Sequence, residues 1–264
     1  MNLELLTGFL YAESCLGMEE TGSGVVAYFP AGDRNRVESL LSRIADHFPS
    51  LEIQTELYRN QDWVAVFNAS LAPVILEPFY VTPDPERFPP PPHLKPLFLK
   101  PGAAFGTGHH ASTGLVLRLL SELSLQGRRV LDLGCGSGIL SIAAAALGAL
   151  QVVAVDIDPD SVFECRRNGS LNSTSFHTVI GTEASIRSSF DLLLANLLPL
   201  PLRSILPEAF RWVRPGGDLI ISGVEAGDKD FFTFLDRQKH LEILSRRIEG
   251  GWAAWHLNLF PSSS

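Results

Sequence analysis

The run Val130-Leu131-Asp132-Leu133-Gly134-Cys135-Gly136-Ser137-Gly138-Ile139-Leu140, followed by Val152-Val153-Ala154-Val155-Asp156, constrains the fold of this chain more than any other stretch. An apolar strand runs into three glycines at alternate positions and then into a helix. A second apolar strand ends on a carboxylate 22 residues after Gly134. Glycine permits a tight turn and close approach of backbone N–H groups to a ligand, and a carboxylate at the tip of the second strand accepts hydrogen bonds from both hydroxyls of a ribose. The pattern predicts a doubly wound parallel sheet that holds a nucleoside.

Spacing narrows the choice of nucleoside. A dinucleotide fingerprint reads GxGxxG and uses its last glycine for close helix packing, but the sixth position here is Ile139. The pattern is GxGxG, and the helix after it is rich in small residues from Ser141 to Gly148. That form resembles motif I of the class I S-adenosylmethionine-dependent methyltransferases. The plainer alternative is a flexible strand-to-helix turn; the correctly spaced Asp156 and the flanking strands weigh against it.

With 264 residues and 45% hydrophobic content spread along its length, the chain can bury one large core and a smaller second one. No apolar run approaches the roughly 20 residues that span a bilayer, and the N-terminus lacks the features of a signal peptide. A cytoplasmic protein without membrane contact is expected. Cys15, Cys135 and Cys165 are odd in number and scattered, which suits reduced thiols and not a disulfide framework or a zinc site. Cys135 lies inside the glycine turn, where packing is a better reading than nucleophilic catalysis. A net charge of −8 disfavours a non-specific grip on nucleic acid, and a monomer acting on a protein substrate is expected.

Between Thr82 and Gly102 the chain reads TPDPERFPPPPHLKPLFLKPG, with eight prolines. Proline fixes its own φ and pushes the preceding residue out of the helical region, so residues 82–100 are expected to form an extended, semi-rigid linker. Residues 1–81 are expected to form a small α+β domain: a helix over Asn2 to Ala12, a hairpin from Leu16–Glu20 and Gly24–Phe29, a helix over Arg34 to Phe48, and strands near Leu51–Leu57 and Val74–Val81 around a helix at Gln61–Asn68. Residues 101–264 are expected to alternate. Helix Leu115–Leu123 precedes strand Arg129–Leu133, then strand Gln151–Val155, helix Pro159–Leu171, strands His177–Ile180 and Asp191–Ala195, helix Leu200–Val213, strand Gly217–Ser222 and helix Lys229–Asp236. Such alternation implies a parallel sheet, and the last two strands, Leu241–Ile248 and Trp252–Leu259, are close enough to pair as an antiparallel hairpin.

In an open parallel sheet the ligand lies beyond the carboxyl ends of the strands, so the tip of the fourth strand, Asp191-Leu192-Leu193-Leu194-Ala195-Asn196, faces the reactive end of the cofactor. The carboxamide of Asn196 can accept a hydrogen bond from a substrate amine and hold its lone pair toward an electrophile. Alternatively Asn196 caps the following helix. Ahead of the first helix of this domain, Phe105-Gly106-Thr107-Gly108-His109-His110-Ala111-Ser112-Thr113 is dense in glycine and hydroxyls that can cap a helix and touch the cofactor. His109 and His110 lack the spacing of a helical metal site, so no metal is expected. Glu183 falls near the position of an adenine or is simply a solvated loop charge.

The runs AFGTGHHAST, VLDLGCGSGILSIAAAALGA, VVAVDIDP and LLLANLLPLPL, in this order and spacing, resemble the ribosomal protein L11 methyltransferase (PrmA) family. The resemblance covers about Leu99 to Leu259 well and the N-terminal part more loosely, through LGMEETGSGVVAYFP and DWVAVFNASLAPV. It implies an α/β fold: a Rossmann-like class I methyltransferase sheet of seven strands whose last hairpin is antiparallel, with a small N-terminal α+β domain. It also implies S-adenosylmethionine as cofactor and repeated N-methylation of lysine side chains and the N-terminal amine of a ribosomal protein. By position it places cofactor contacts at Thr113, Asp132, Gly134, Gly136, Asp156 and Asn196, with Phe105 and Thr107 enclosing the methionine moiety and Asn196 as the candidate catalytic residue. Members of the family begin with a strand ahead of the first helix, so here either an abbreviated ferredoxin-like domain is expected or the sequence starts late. The competing readings are methylation of another protein lysine or a small amine, a nicotinamide-dependent oxidoreductase, and a binding module that has lost activity.

Overall fold

Seven strands pair into one mixed sheet that carries the molecule's main core. The computed structural model describes residues 10, 17–21, 24–30, 34–49, 51–56, 72–100, 102 and 104–260. The chain divides into two compact units, Met1–Gln61 and Asp62–Ser264.

In the first unit, strands β1 (Gly17–Thr21) and β2 (Gly24–Tyr28) form an antiparallel hairpin that closes at Thr21↔Gly24. Helix α1 (Arg34–His47) turns Leu40 and Ile44, four apart, into a core with Leu10, against which Val25, Ala27, Phe29, Phe48 and Leu51 pack. The strand expected near Leu51–Leu57 does not form over the described residues 51–56, where no neighbouring strand edge pairs with it. The helix expected around Gln61–Asn68 lies outside the described residues, as does that over Asn2–Ala12 apart from Leu10.

The second unit opens with a three-stranded sheet. The run expected to be one strand, Val74–Val81, is two: β3 (Val74–Leu76) and β4 (Phe79–Thr82) pair as a hairpin, because Pro78 offers no donor and the chain turns there. Strand β5 (Lys95–Phe98) then pairs parallel to β4, inside the segment read as a linker. Its Pro96 is tolerated because β5 is an edge strand of this sheet. Leu97 and Leu99 are buried in the same cluster as Phe79, Val81 and helix α2 (Ala111–Ser121), so this proline-rich stretch is packed into the larger unit.

The main sheet contains β6 (Arg129–Leu133), β7 (Gln151–Asp156), β8 (His177–Ile180), β9 (Phe190–Asn196), β10 (Val213–Glu225), β11 (Leu241–Glu249) and β12 (Trp252–Leu259), in the order β11-β12-β10-β9-β6-β7-β8. Pairs among β8, β7, β6, β9 and β10 are parallel, and β12 is antiparallel to both β10 and β11. Helices α3 (Ile139–Ala146), α4 (Pro159–Leu171), α5 (Pro199–Ile205) and α6 (Lys229–Asp236) connect the strands. The expected helix Leu200–Val213 is shorter: after Ile205 the chain tightens into a 3-10 turn over Leu206–Arg211, where Pro207 cannot donate to an α-helical bond.

Alternation along the strands builds two cores. Val130, Leu192, Leu194 and Ile220 face α2 and α3, while Leu131, Leu133, Leu193, Ala195, Leu219 and Ile221 face α5 and α6. From β6 the chain winds outward through β7 and β8, then crosses back to lay β9 on the other flank of β6. The crevice between the carboxyl ends of β6 and β9 is thus the topological switch point, where a ligand has room.

Candidate active site

The glycine turn leaves β6 at this switch point. Gly134 N and Cys135 N both donate to Val155 O, at 2.8 and 3.1 Å, and extend the β6–β7 ladder into the turn. Gly136 has φ +50°, and a Cβ there would lie 2.5 Å from Phe105 O, so only glycine admits the loop that crosses above it. That loop is stapled down: Ser137 N donates to Phe105 O at 2.8 Å and Ser137 Oγ to Gly106 O at 2.6 Å. Thr107 is half-buried, and its carbonyl faces His109 Nδ1 at 3.3 Å.

Asp156, at the tip of β7, buttresses the turn. Its Oδ2 accepts from Gly136 N at 2.9 Å and its Oδ1 from Asp158 N at 3.0 Å. A carboxylate oxygen has two lone-pair sites, so both oxygens retain capacity for a ribose hydroxyl. Beneath the turn Asp132 is fully buried. One oxygen accepts from Ser141 Oγ at 2.6 Å and the other has no partner. Burial raises its pKa to about 7, against the smaller lowering effect of Ser141.

Asn196 ends β9. Its Nδ2 donates to Thr113 Oγ1 at 3.3 Å, while its Oδ1 is buried without a partner. It does not cap the next helix, since the N-cap of α5 is Leu198 and no side chain caps it. The hydroxyls expected to cap α2 do not do so either. The cap is His110, whose Nδ1 accepts from Ser112 N, which leaves the buried Thr113 hydroxyl for Asn196. An imidazole replaces the usual Ser or Asp because its ring also packs between Phe105 and Trp252. Cys135 is buried beside Cys165, and its thiol pKa is driven far up by hydrogen bonding to Cys165 and by burial, which leaves it unsuited to act as a nucleophile. Glu183 is half-buried in a single 3-10 turn capped by Thr182, after β8.

Thus the fold brings Asp132, Gly134, Gly136 and Asp156 to one side of the crevice, Thr113 and Asn196 to the other, and Phe105 and Thr107 above the turn. Three supporting groups escaped the sequence reading. Asn168 of α4, wholly buried, donates to Ser137 O at 2.9 Å and accepts from Lys100 N at 3.1 Å, and so clamps the turn and the approach to its covering loop together. Its signal was a polar residue on the helix face that also carries Ser161, Val162 and Cys165. Gly223 lets Leu197 pass so closely that a Cβ would lie 2.2 Å from Leu197 O, and Leu197 in turn packs over Gly134. Trp252 stands at the start of β12, opposite Glu225, and nothing in its local sequence marked it.

These residues fit a nucleoside sulfonium. A backbone cradle meets a carboxylate that retains acceptor sites, and a buried carboxamide oxygen lacks a donor where a transferable group and its acceptor would meet. The comparisons agree. The family model for ribosomal protein L11 methyltransferase (PrmA) matches residues 10–259. A ribosomal protein L11 methyltransferase of Wolinella succinogenes is 35% identical over 84% of this chain and 82% of its own length, and one of Geobacter sulfurreducens is 36% identical over 90% and 82%. A third, of Symbiobacterium thermophilum, is 36% identical over 74% of this chain, which spans 64% of that relative. Among solved structures, a ribosomal protein L11 methylase of Lactobacillus delbrueckii subsp. bulgaricus has a TM-score of 0.67 and 26% identity, and covers 72% of this chain with all of its own. The chain belongs to the ribosomal protein L11 methyltransferase (PrmA) family of class I methyltransferases, and its cofactor is S-adenosylmethionine.

Proposed function

We propose that this protein methylates amines of ribosomal protein L11, on lysine side chains and the N-terminal amine. The observation that carries the proposal is the buried, partnerless Oδ1 of Asn196 beside the glycine turn. In this reading Asp156 holds the ribose and the backbone of Gly134 and Gly136 lines the cofactor. Phe105 and Thr107 enclose the methionine end, and the open oxygen of Asp132 serves the methionine ammonium. S-adenosylmethionine supplies an electrophilic methyl on a sulfonium whose leaving thioether is neutral. Asn196 Oδ1 accepts an N–H of the substrate amine and turns its lone pair toward the methyl, while Thr113 fixes the carboxamide. A lysine amine has a reference pKa near 10.4, so it must shed a proton; entry into a crevice away from water disfavours the ammonium and assists that loss.

The N-terminal unit, with its own small core, is assigned to recognition of the ribosomal protein. We place the enzyme in the cytoplasm as a monomer that needs no nucleic acid; its net charge of −8 favours a basic protein partner over phosphate backbones. Among the described residues no helix is long and apolar enough to cross a membrane. The test is incubation of purified L11 with this protein and S-adenosylmethionine, followed by intact and peptide mass spectrometry. Mass gains in steps of one methyl on amines are expected. No gain, with tight binding of S-adenosylhomocysteine by calorimetry, would redirect the activity to another amine.

A further inference from the structure

His110 makes three contacts that no other feature of the site combines. Its Nδ1 accepts from Ser112 N at 3.3 Å and lies 2.7 Å from Ser112 Oγ, and its carbonyl receives Thr113 N at 3.0 Å and Gly114 N at 3.2 Å. Together these form the first turn of α2. On one side its ring meets Phe105 edge-on, at 5.2 Å and 67°; on the other it meets Trp252, at 4.6 Å and 64°.

The cap and the ring stack lead to different halves of the site. The cap fixes the turn that carries Thr113, which is fully buried and bonded to Asn196. The ring stack leads to Phe105, whose carbonyl is bound by Ser137 of the glycine turn. The stack ends on the sheet. Trp252 pairs with Glu225, beyond the row in which Asn196, Ser222 and Ala254 lie side by side, so the ring is braced against the rim above the reacting end. Serine, aspartate or asparagine would supply the cap without the ring, and phenylalanine the ring without the cap. Imidazole supplies both at this reach.

We infer that His110 is a positioning residue with two separable duties: through its cap it aligns Thr113 and Asn196 with the reacting amine, and through its ring it holds the Phe105 loop over the cofactor. This rests on the proposed amine methylation for its first half only. The second half concerns the cofactor and needs no methyl acceptor.

The test uses two conservative variants of the full chain, with the S-adenosylhomocysteine Kd read by calorimetry and kcat on L11 read by mass spectrometry at saturating S-adenosylmethionine. His110→Asn keeps a cap and loses the ring, so Kd should rise about fivefold, on the scale of one lost aromatic pair, with kcat within twofold. His110→Phe keeps the ring and loses the cap, so kcat should fall about fivefold, on the scale of one lost cap, with Kd within twofold. Trp252→Leu breaks the ring stack from its far side and should reproduce the Asn variant, which keeps the inference testable if the Phe variant does not fold. Proportional losses of affinity and turnover in both His110 variants, or no change in either, would overturn the inference. If the unaltered protein binds S-adenosylhomocysteine yet leaves L11 unmethylated, the proposed substrate fails on its own. The Kd contrast between the variants then decides the inference.

Discussion

The two ends of the main sheet treat their carboxylates in opposite ways. At the amino ends of β6, β9 and β10, Asp218 accepts from Arg128 at 2.5 Å, His256 at 3.0 Å and Asn258 at 3.1 Å. Asp191 accepts from Arg129 N at 2.6 Å and pairs with Arg214 at 2.7 Å. At the carboxyl end, Asp132 keeps one oxygen without a partner and so does Asn196. Burial acts on both aspartates. At Asp218 it is outweighed by bonds from His256, Arg128 and Asn258, and the pKa falls to about 2; at Asp132 it prevails, and the pKa rises to about 7. One end holds the fold together, and the other keeps polar groups open for a ligand.

The largest effect is expected at Asp132. A carboxyl whose folded pKa lies near 7 and whose unfolded value is 3.8 stabilises the native state fully below pH 4 and loses that contribution as pH rises to 7. The span corresponds to about 4 kcal/mol. Asp132→Asn should flatten the fall in urea-measured stability between pH 4 and 7 while weakening cofactor binding. An unchanged pH slope would show that Asp132 does not titrate in this range. Next in size, Asn196→Ala should lower kcat by about 100-fold, the scale of a misaligned reacting pair, and leave the S-adenosylhomocysteine Kd nearly unchanged. Equal losses in both would make Asn196 a cofactor residue alone.

Asp156→Ala removes charge-assisted bonds and should weaken cofactor binding by about 2 kcal/mol, read by calorimetry. Asp218→Asn is expected to act on stability alone, with the opposite pH sign. Its folded pKa is depressed, so the wild-type contribution of about 2 kcal/mol is present above pH 4 and lost toward pH 2. The variant should lose stability at neutral pH without any change in cofactor affinity. A change in affinity would mean that the two ends of the sheet are coupled.

What the sequence disclosed of this division follows from how local each signal is. Helices Pro159–Leu171 and Lys229–Asp236 begin where Asp158 and Asp228 cap them and end as expected, because caps and apolar spacing are written in adjacent residues. The glycine turn and Asp156 were legible for the same reason. The three-stranded sheet at β3–β5 was not: eight prolines read as a connector, and only the burial of Leu97 and Leu99 in the cluster that β5 shares with α3 shows why they pack. Gly223 and Trp252 act across long stretches of chain, through contacts that no local pattern encodes, and at Asn168 the local pattern marks a polar residue on a buried helix face but not its partners Ser137 and Lys100. The duty of His110 has no local signature, since imidazole is an uncommon helix cap.

The position of β12 has a consequence for biosynthesis. This strand follows β11 in the chain yet lies inside it, between β10 and the edge, with Ala253, Trp255, Leu257 and Leu259 buried in the core. A growing chain that has extruded β6 to β11 still has an open seam where β12 belongs. The sheet can close only once the residues through Leu259 have left the ribosome, so the catalytic unit is completed after the N-terminal unit has already had time to fold.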